Sequence, residues 1–129
     1  ERRGIWKFED EENKVPPIDY HLQNVALRSG MVRVVADYLK EKIRKTRFLN
    51  FDEELNLRLA CKDAFSIVSS VSSLDPYYLD DILWLEGRRF CQKEPPACKG
   101  SLLEHVCLYG NSNPGDTKLP YVYSDTWRY

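Results

Sequence analysis

The chain has 129 residues, of which 43% are hydrophobic and 12% aromatic; this is enough apolar material for one packed domain and excludes global disorder. The formal net charge of −1 excludes a polycation, so any contact with nucleic acid would have to come from a local basic face. No apolar run approaches the ~18 residues that span a membrane, and the start of the chain carries no export signal. We therefore expect no membrane partner and an intracellular location, either cytoplasmic or in the nucleoid or nucleus.

The N-terminal third of the chain is predicted to hold a loop followed by two helices. Residues 1–17 form a polar, charged segment without helical periodicity. Asp19 is positioned to cap a first helix, and Gly30 is positioned to end it. A second helix is predicted over roughly 32–46, with an apolar side made of Val35, Leu39 and Ile43. Its basic C-terminal half is typical of a solvated face, with contact to phosphates as the alternative.

Two further helices are predicted in the central part of the chain. Asp52 is expected to cap a long helix that runs to about Ser72, and Cys61, near its middle, is expected to be a small buried core residue. Asp75-Pro76 opens a fourth helix with proline in its first turn. The predicted apolar face of the third helix consists of Leu55, Leu59, Ala60, Phe65, Val68 and Val71.

These elements predict an all-α fold in three parts after the polar N-terminal segment. Residues 18–90 would form a helical domain, and residues 91–107 a cysteine-bearing loop. Residues 108–129 are rich in Gly, Asn and Pro and then become aromatic. We expect this C-terminal tail to pack back on the domain, with stacking of its rings on nucleic-acid bases as the alternative.

The cysteine-bearing loop has the spacing C-x6-C-x2-S-x5-C, formed by Cys91, Cys98, Ser101 and Cys107. Closely spaced cysteines hold iron–sulfur clusters, which take four thiolate ligands. Preceded by Gly87-Arg88, the loop resembles the iron–sulfur loop of the endonuclease III-type, helix-hairpin-helix DNA glycosylases, which has a cysteine where this chain has serine.

The resemblance implies a 4Fe-4S cluster on Cys91, Cys98 and Cys107, with Ser101, water or another group as the fourth ligand. Two alternatives remain open: a loop that keeps its shape without a cluster, and a zinc site formed by the cysteines together with His105. Three ordinary thiols on a surface loop are the simplest interpretation.

The segment from Ile18-Asp19-Tyr20-His21 to Arg28-Ser29-Gly30 resembles the same family around its catalytic aspartate, where a Val-Asp-Thr-His run opens a helix that ends near Arg-Thr-Gly. The resemblance implies that Asp19 is catalytic. Cleavage of an N-glycosidic bond develops positive charge on the sugar, and a carboxylate can stabilise that charge or activate a water or amine. The structural alternative is that Asp19 caps its helix, and in the family one aspartate can do both. The family also implies a duplex DNA partner with a flipped base, contacted here by Arg88 and Arg89.

The leading prediction is a DNA base-excision repair protein of the glycosylase type, cleaving the N-glycosidic bond of damaged or mismatched bases. The family's Gly-rich hairpin and nucleophilic lysine match nothing in residues 1–18. We therefore expect the 129-residue chain alone to hold about half of the family's pattern and to be inactive in base excision. The alternatives are a non-enzymatic metal-binding or nucleic-acid-binding helical module, and a purely structural helical domain.

Overall fold

The computed structural model describes residues 15–45, 48–91, 97–111 and 122, and this part of the chain is helical. It contains no β-strand in those residues, so the prediction of an all-α fold is confirmed. The helices in chain order are α1 (Tyr20–Ser29), α2 (Asp37–Arg44), α3 (Phe51–Ser72), α4 (Pro76–Arg89) and the short α5 (Leu108–Asn111). Within the described ranges, no helix has both the length and the apolar character needed to cross a membrane.

Helix α1 is the centre of the fold and contacts α3, α4 and α5. The side chain of Asp19 caps it at one end, and Gly30 ends it in the left-handed conformation with φ of 86°, so both sequence-predicted boundaries are confirmed. Every residue from 22 to 28 is buried. A helix that is buried on all sides must satisfy its polar side chains internally, and Asn24 does so by binding the backbone of Tyr20 and of Val122.

Helix α2 begins at Asp37, later than the sequence predicts. The residues before it are rich in valine, and β-branched side chains favour extended backbone, so this stretch leads into the helix without joining it. Val35 is 78% exposed and was wrongly assigned to the apolar side, whereas Leu39 and Ile43 pack into the core. The basic residues form ion pairs with nearby carboxylates, namely Lys40–Asp37, Arg44–Glu41, Lys45–Glu41 and Lys42–Glu53.

Helix α3 begins with a capping box, in which Asn50 accepts from the Glu53 backbone and Glu53 accepts from the Asn50 backbone. The prediction that Asp52 caps this helix was therefore wrong by two positions. The buried face runs through Glu54, Leu57, Cys61, Phe65 and Ser69. Leu55, Leu59 and Val71 are exposed, in contrast to the predicted face, whereas the burial of Cys61 is confirmed.

Helix α4 lies against α1, and the two helices approach closely at Gly87. A Cβ atom at Gly87 would lie 3.0 Å from the carbonyl oxygen of His21 and 3.1 Å from a methyl group of Val25. The helix starts as predicted, because the Asp75 carboxylate accepts from the backbone of Tyr77 and Tyr78 and Pro76 occupies the first turn. The close packing fixes the position of the polar side chains of α4 relative to the start of α1.

Residues 1–14 of the polar N-terminal segment and most of the C-terminal tail lie outside the described residues. From the tail, Val122 is 2% exposed and its backbone N–H donates to Asn24 Oδ1 at 2.9 Å. Val122 therefore belongs to the hydrophobic core, although it lies far along the chain from α1. The packing of the aromatic tail and the boundaries of the three parts remain predictions.

Candidate functional site

Asp19 is fixed through both carboxylate oxygens at the start of α1. Its Oδ1 accepts from the backbone N–H of Leu22 at 3.0 Å, and its Oδ2 accepts from the indole Nε1 of Trp84 at 3.0 Å. The N-terminal end of a helix is a favourable place for a carboxylate side chain. The capping role of Asp19 is thus confirmed, and Asp19 also bridges α1 to α4, whereas its catalytic role stays a prediction.

His21 and Arg88 complete a polar group around Trp84. The His21 and Trp84 rings meet edge to face with centroids 5.6 Å apart, and the Arg88 guanidinium carbon lies 5.0 Å from the Trp84 ring centroid. Burial lowers the pKa of His21, the negative charge of Asp19 raises it, and the positive charge of Arg88 lowers it. The net lowering favours a neutral imidazole at neutral pH.

Asp80 is a second carboxyl group in this region, and the sequence reasoning missed it. It lies on α4 one turn before Trp84, on the same face of the helix. Its Oδ1 atom is buried and has no hydrogen-bond partner among the described residues. Burial raises the pKa of Asp80 to about 6, with further raising by the charges of Asp19 and Asp81. We call Asp19, His21, Asp80, Trp84 and Arg88 the Asp19 site.

The two arginines predicted to contact DNA differ in their surroundings, although both are exposed. Arg88 lies over Trp84 and within electrostatic reach of His21, so it borders the Asp19 site. The Arg89 guanidinium carbon lies 5.6 Å from the ring centroid of Phe90, at the end of α4. Only Arg88 is therefore brought together with the predicted catalytic aspartate.

The cysteines of the loop converge on Arg28, a buried residue of α1 that is 2% exposed. Burial raises the pKa of Cys91 to about 11. The positive charge of Arg28 lowers this pKa, whereas Cys107 and Cys98 raise it further. Burial likewise raises the pKa of the Cys98 thiol. The Cys107 thiol donates to the backbone carbonyl of Arg28 at 3.3 Å. Cys91 and Cys98 thus lie within electrostatic reach of the Arg28 guanidinium, and Cys107 contacts the backbone of the same residue.

Ser101 faces helix α4. Its hydroxyl donates to the Glu86 carboxylate at 2.5 Å, and the same carboxylate oxygen accepts from the Leu102 backbone at 3.0 Å. The Ser101 oxygen also accepts from the backbone N–H of Leu103 at 3.1 Å. We call this group the Glu86–Ser101 clasp. Glu86, which is 8% exposed, was not singled out from the sequence because the bond spans fifteen positions.

The Glu86–Ser101 clasp occupies the hydroxyl group of one predicted metal ligand, Ser101. An iron–sulfur cluster takes four ligands, and in this arrangement the Ser101 oxygen is engaged by Glu86 and Leu103. Among the described residues, no three or more His, Cys, Asp or Glu side chains stand close enough together to hold a metal ion. Ser101 as arranged does not fit the fourth position, so a cluster on Cys91, Cys98 and Cys107 needs a ligand from elsewhere and stays a prediction.

Comparison of the chain with protein-family models, with curated proteins and with solved structures finds no match.

Proposed function

We propose that this protein is a DNA glycosylase-like repair protein, in which Asp19 faces the sugar of a damaged or mismatched nucleotide. The observation that carries the proposal is the fixed carboxylate: one oxygen of Asp19 is held by the first turn of α1, and the other by the Trp84 indole. A preorganised carboxylate stabilises the positive charge that develops at C1′ as the bond to the base breaks, without reorganising during the reaction.

The neighbours of Asp19 also favour a nucleotide ligand. Arg88 is exposed beside the site and carries the positive charge that a DNA phosphate requires. The adjoining Arg89 adds a second exposed cation on the same helix. Since the chain as a whole carries a net charge of −1, a local basic edge is the feature on which binding would depend.

The proposal is tested by binding, because we expect the chain alone to be inactive in base excision. The probes are three short duplexes: one with a pyrrolidine in place of a sugar, which puts a positive charge near the C1′ position, one with an uncharged tetrahydrofuran, and one undamaged. We expect the chain to prefer the cationic duplex to the neutral one on the order of tenfold, about 1.4 kcal/mol. Asp19→Asn keeps the shape and cap of the side chain and should remove most of this preference.

Arg89→Gln is the matched control, since Arg89 lies away from Asp19; it should weaken all three duplexes alike and keep the cationic preference. A wild-type chain that binds the cationic and neutral duplexes equally would contradict the role of Asp19. Equal binding of all three duplexes would instead support the second candidate, a non-enzymatic nucleic-acid-binding module, which the exposed Arg88 and Arg89 favour.

The cofactor is a separate part of the proposal. With a 4Fe-4S cluster on the three cysteines, the purified protein would contain iron and absorb broadly near about 400 nm. A colourless protein with bound zinc would favour the alternative site that includes His105. Protein lacking both metals would leave the loop as an empty scaffold held by its own hydrogen bonds.

A further inference from the structure

Asp80 is brought to the Asp19 site by the register of α4. Trp84 donates its indole N–H to Asp19, and Asp80 precedes Trp84 by four residues, so both side chains project from one face of the helix toward the start of α1. Gly87, one turn later, holds α4 close against the backbone of His21. The rigid helix pair thus sets the separation of the two carboxyl groups, which are far apart in sequence.

The surroundings of Asp80 favour a proton on its carboxyl group. Its Oδ1 atom is buried and finds no hydrogen-bond donor among the described residues, so nothing there compensates a negative charge on that atom. The charges that act on it are both negative: Asp19 at the start of α1 and Asp81 beside it on α4. Together with burial, they raise the pKa of Asp80 to about 6, whereas Asp19 receives two hydrogen bonds.

We propose that Asp80 is the proton-holding partner of Asp19, and that the pair binds a cationic, sugar-like ligand with release of the Asp80 proton. The inference rests on the proposed function, because it takes the same site as the place where a positively charged sugar is bound. A cation near both carboxyl groups favours their ionised forms, so ligand binding and proton release are coupled. The pair would bind its ligand with one negative charge more above the titration of Asp80 than below it.

The first experiment measures the pH dependence of binding to the pyrrolidine duplex relative to the tetrahydrofuran duplex. Between pH 5 and pH 7.5 the preference of the wild-type chain should rise on the order of threefold, since the second carboxylate forms in this range. Loss of positive charge from His21 acts in the same direction. The change of the preference with pH is therefore compared between the wild type and Asp80→Asn. In the variant, only the contribution of His21 to this change remains.

Asp81→Asn is the matched control, because Asp81 is adjacent and exposed but belongs to no part of the site. It should keep most of the pH dependence. If the wild type prefers the cationic duplex but Asp80→Asn shows the same pH profile, the inference about Asp80 is overturned while the proposed function stands. If the wild type has no cationic preference at any pH, the inference about Asp80 and the proposed function are both contradicted.

A second measurement needs no DNA. The carboxyl ¹³C resonance of Asp80, assigned with Asp80→Asn, should titrate near pH 6 in the wild-type chain, and Asp19→Asn should move its midpoint to lower pH. A midpoint at the ordinary value of an aspartate, unaffected by Asp19→Asn, would overturn the pairing of the two groups.

Discussion

The raised pKa of Asp80 lowers the stability of the folded protein, independently of any role in binding. Its pKa is about 6 in the folded chain, against an ordinary value of 3.8. Between these two values, the folded state holds a proton that the unfolded state has released. The free energy of unfolding therefore falls as the pH rises from about 4 to about 6, and it stays reduced above that range.

Asp80→Asn should remove this cost. Because the side chain is partly solvated, we discount the shift for screening and expect the free energy of unfolding to increase by about 1 kcal/mol at pH 7, with little change at pH 4. Urea unfolding at the two pH values measures the difference. Asp81→Asn, on the exposed side of α4, should give a smaller effect. A destabilised Asp80→Asn variant at pH 7 would show that the carboxylate makes a favourable contact.

At the scale of the elements, the Glu86–Ser101 clasp ties the cysteine loop to α4. A single carboxylate oxygen accepts from the Ser101 hydroxyl and from the Leu102 backbone, and it is buried with the rest of Glu86. Hydrogen bonds to a charged acceptor are stronger than neutral ones, and removing a donor leaves the carboxylate less well satisfied. The loop thus has an anchor that does not depend on a metal ion.

Ser101→Ala should therefore lower the free energy of unfolding by about 1–2 kcal/mol. The matched control is Ser70→Ala, an exposed serine on α3, which should change it by less than about 0.5 kcal/mol. Both are measured by urea unfolding in the presence of a chelator. Equal effects of the two substitutions would contradict the anchoring role of the clasp.

Local signals in the sequence were sufficient for the helices whose ends are set by their own residues. Asp19, Gly30 and Asp75-Pro76 define the ends of α1 and the start of α4 through contacts within a few positions. The buried face of α3 could not be chosen in the same way, because apolar residues occur on more than one side of that helix. Its packing against α1 and α4 selects the side that contains Cys61 and Phe65.

The Asp19 site, too, could be predicted only in part from local signals in the sequence. Asp19 follows from a local motif, but its contact with Trp84 joins positions 65 apart, and Asp80 enters the site only through the pairing of α1 with α4. Likewise, the spacing of the cysteine loop gave no sign that Ser101 would turn toward Glu86. Contacts between distant positions depend on how helices pack, which the sequence periodicity of each helix does not determine.

At the scale of the whole molecule, the contact between α1 and α4 holds the fold and the site together. Gly87→Ala would raise helix propensity at an open position, but here the added methyl group meets the His21 backbone at 3.0 Å. We expect a loss of about 1–3 kcal/mol in the free energy of unfolding. The cationic preference that we propose for DNA binding should weaken as well, since separating the helices lengthens the contact of Trp84 with Asp19.

Thermal or urea unfolding and the duplex binding assay measure the two effects. Arg89→Ala, an exposed substitution two residues further along the same helix, is the control for stability and should be nearly neutral. A Gly87→Ala variant that is more stable than the wild type would mean that α1 and α4 adjust easily at their crossing.

The hydrogen bond from Trp84 to Asp19 also gives the molecule an optical reporter of its own site. Indole fluorescence responds to a charge at the ring nitrogen, so a ligand that approaches Asp19 should change the emission of Trp84. The chain has three tryptophans, and replacing Trp6 and Trp127 by phenylalanine would leave Trp84 as the single tryptophan, which can be excited selectively over tyrosine. Candidate ligands could then be screened by titration alone, before any substrate is known.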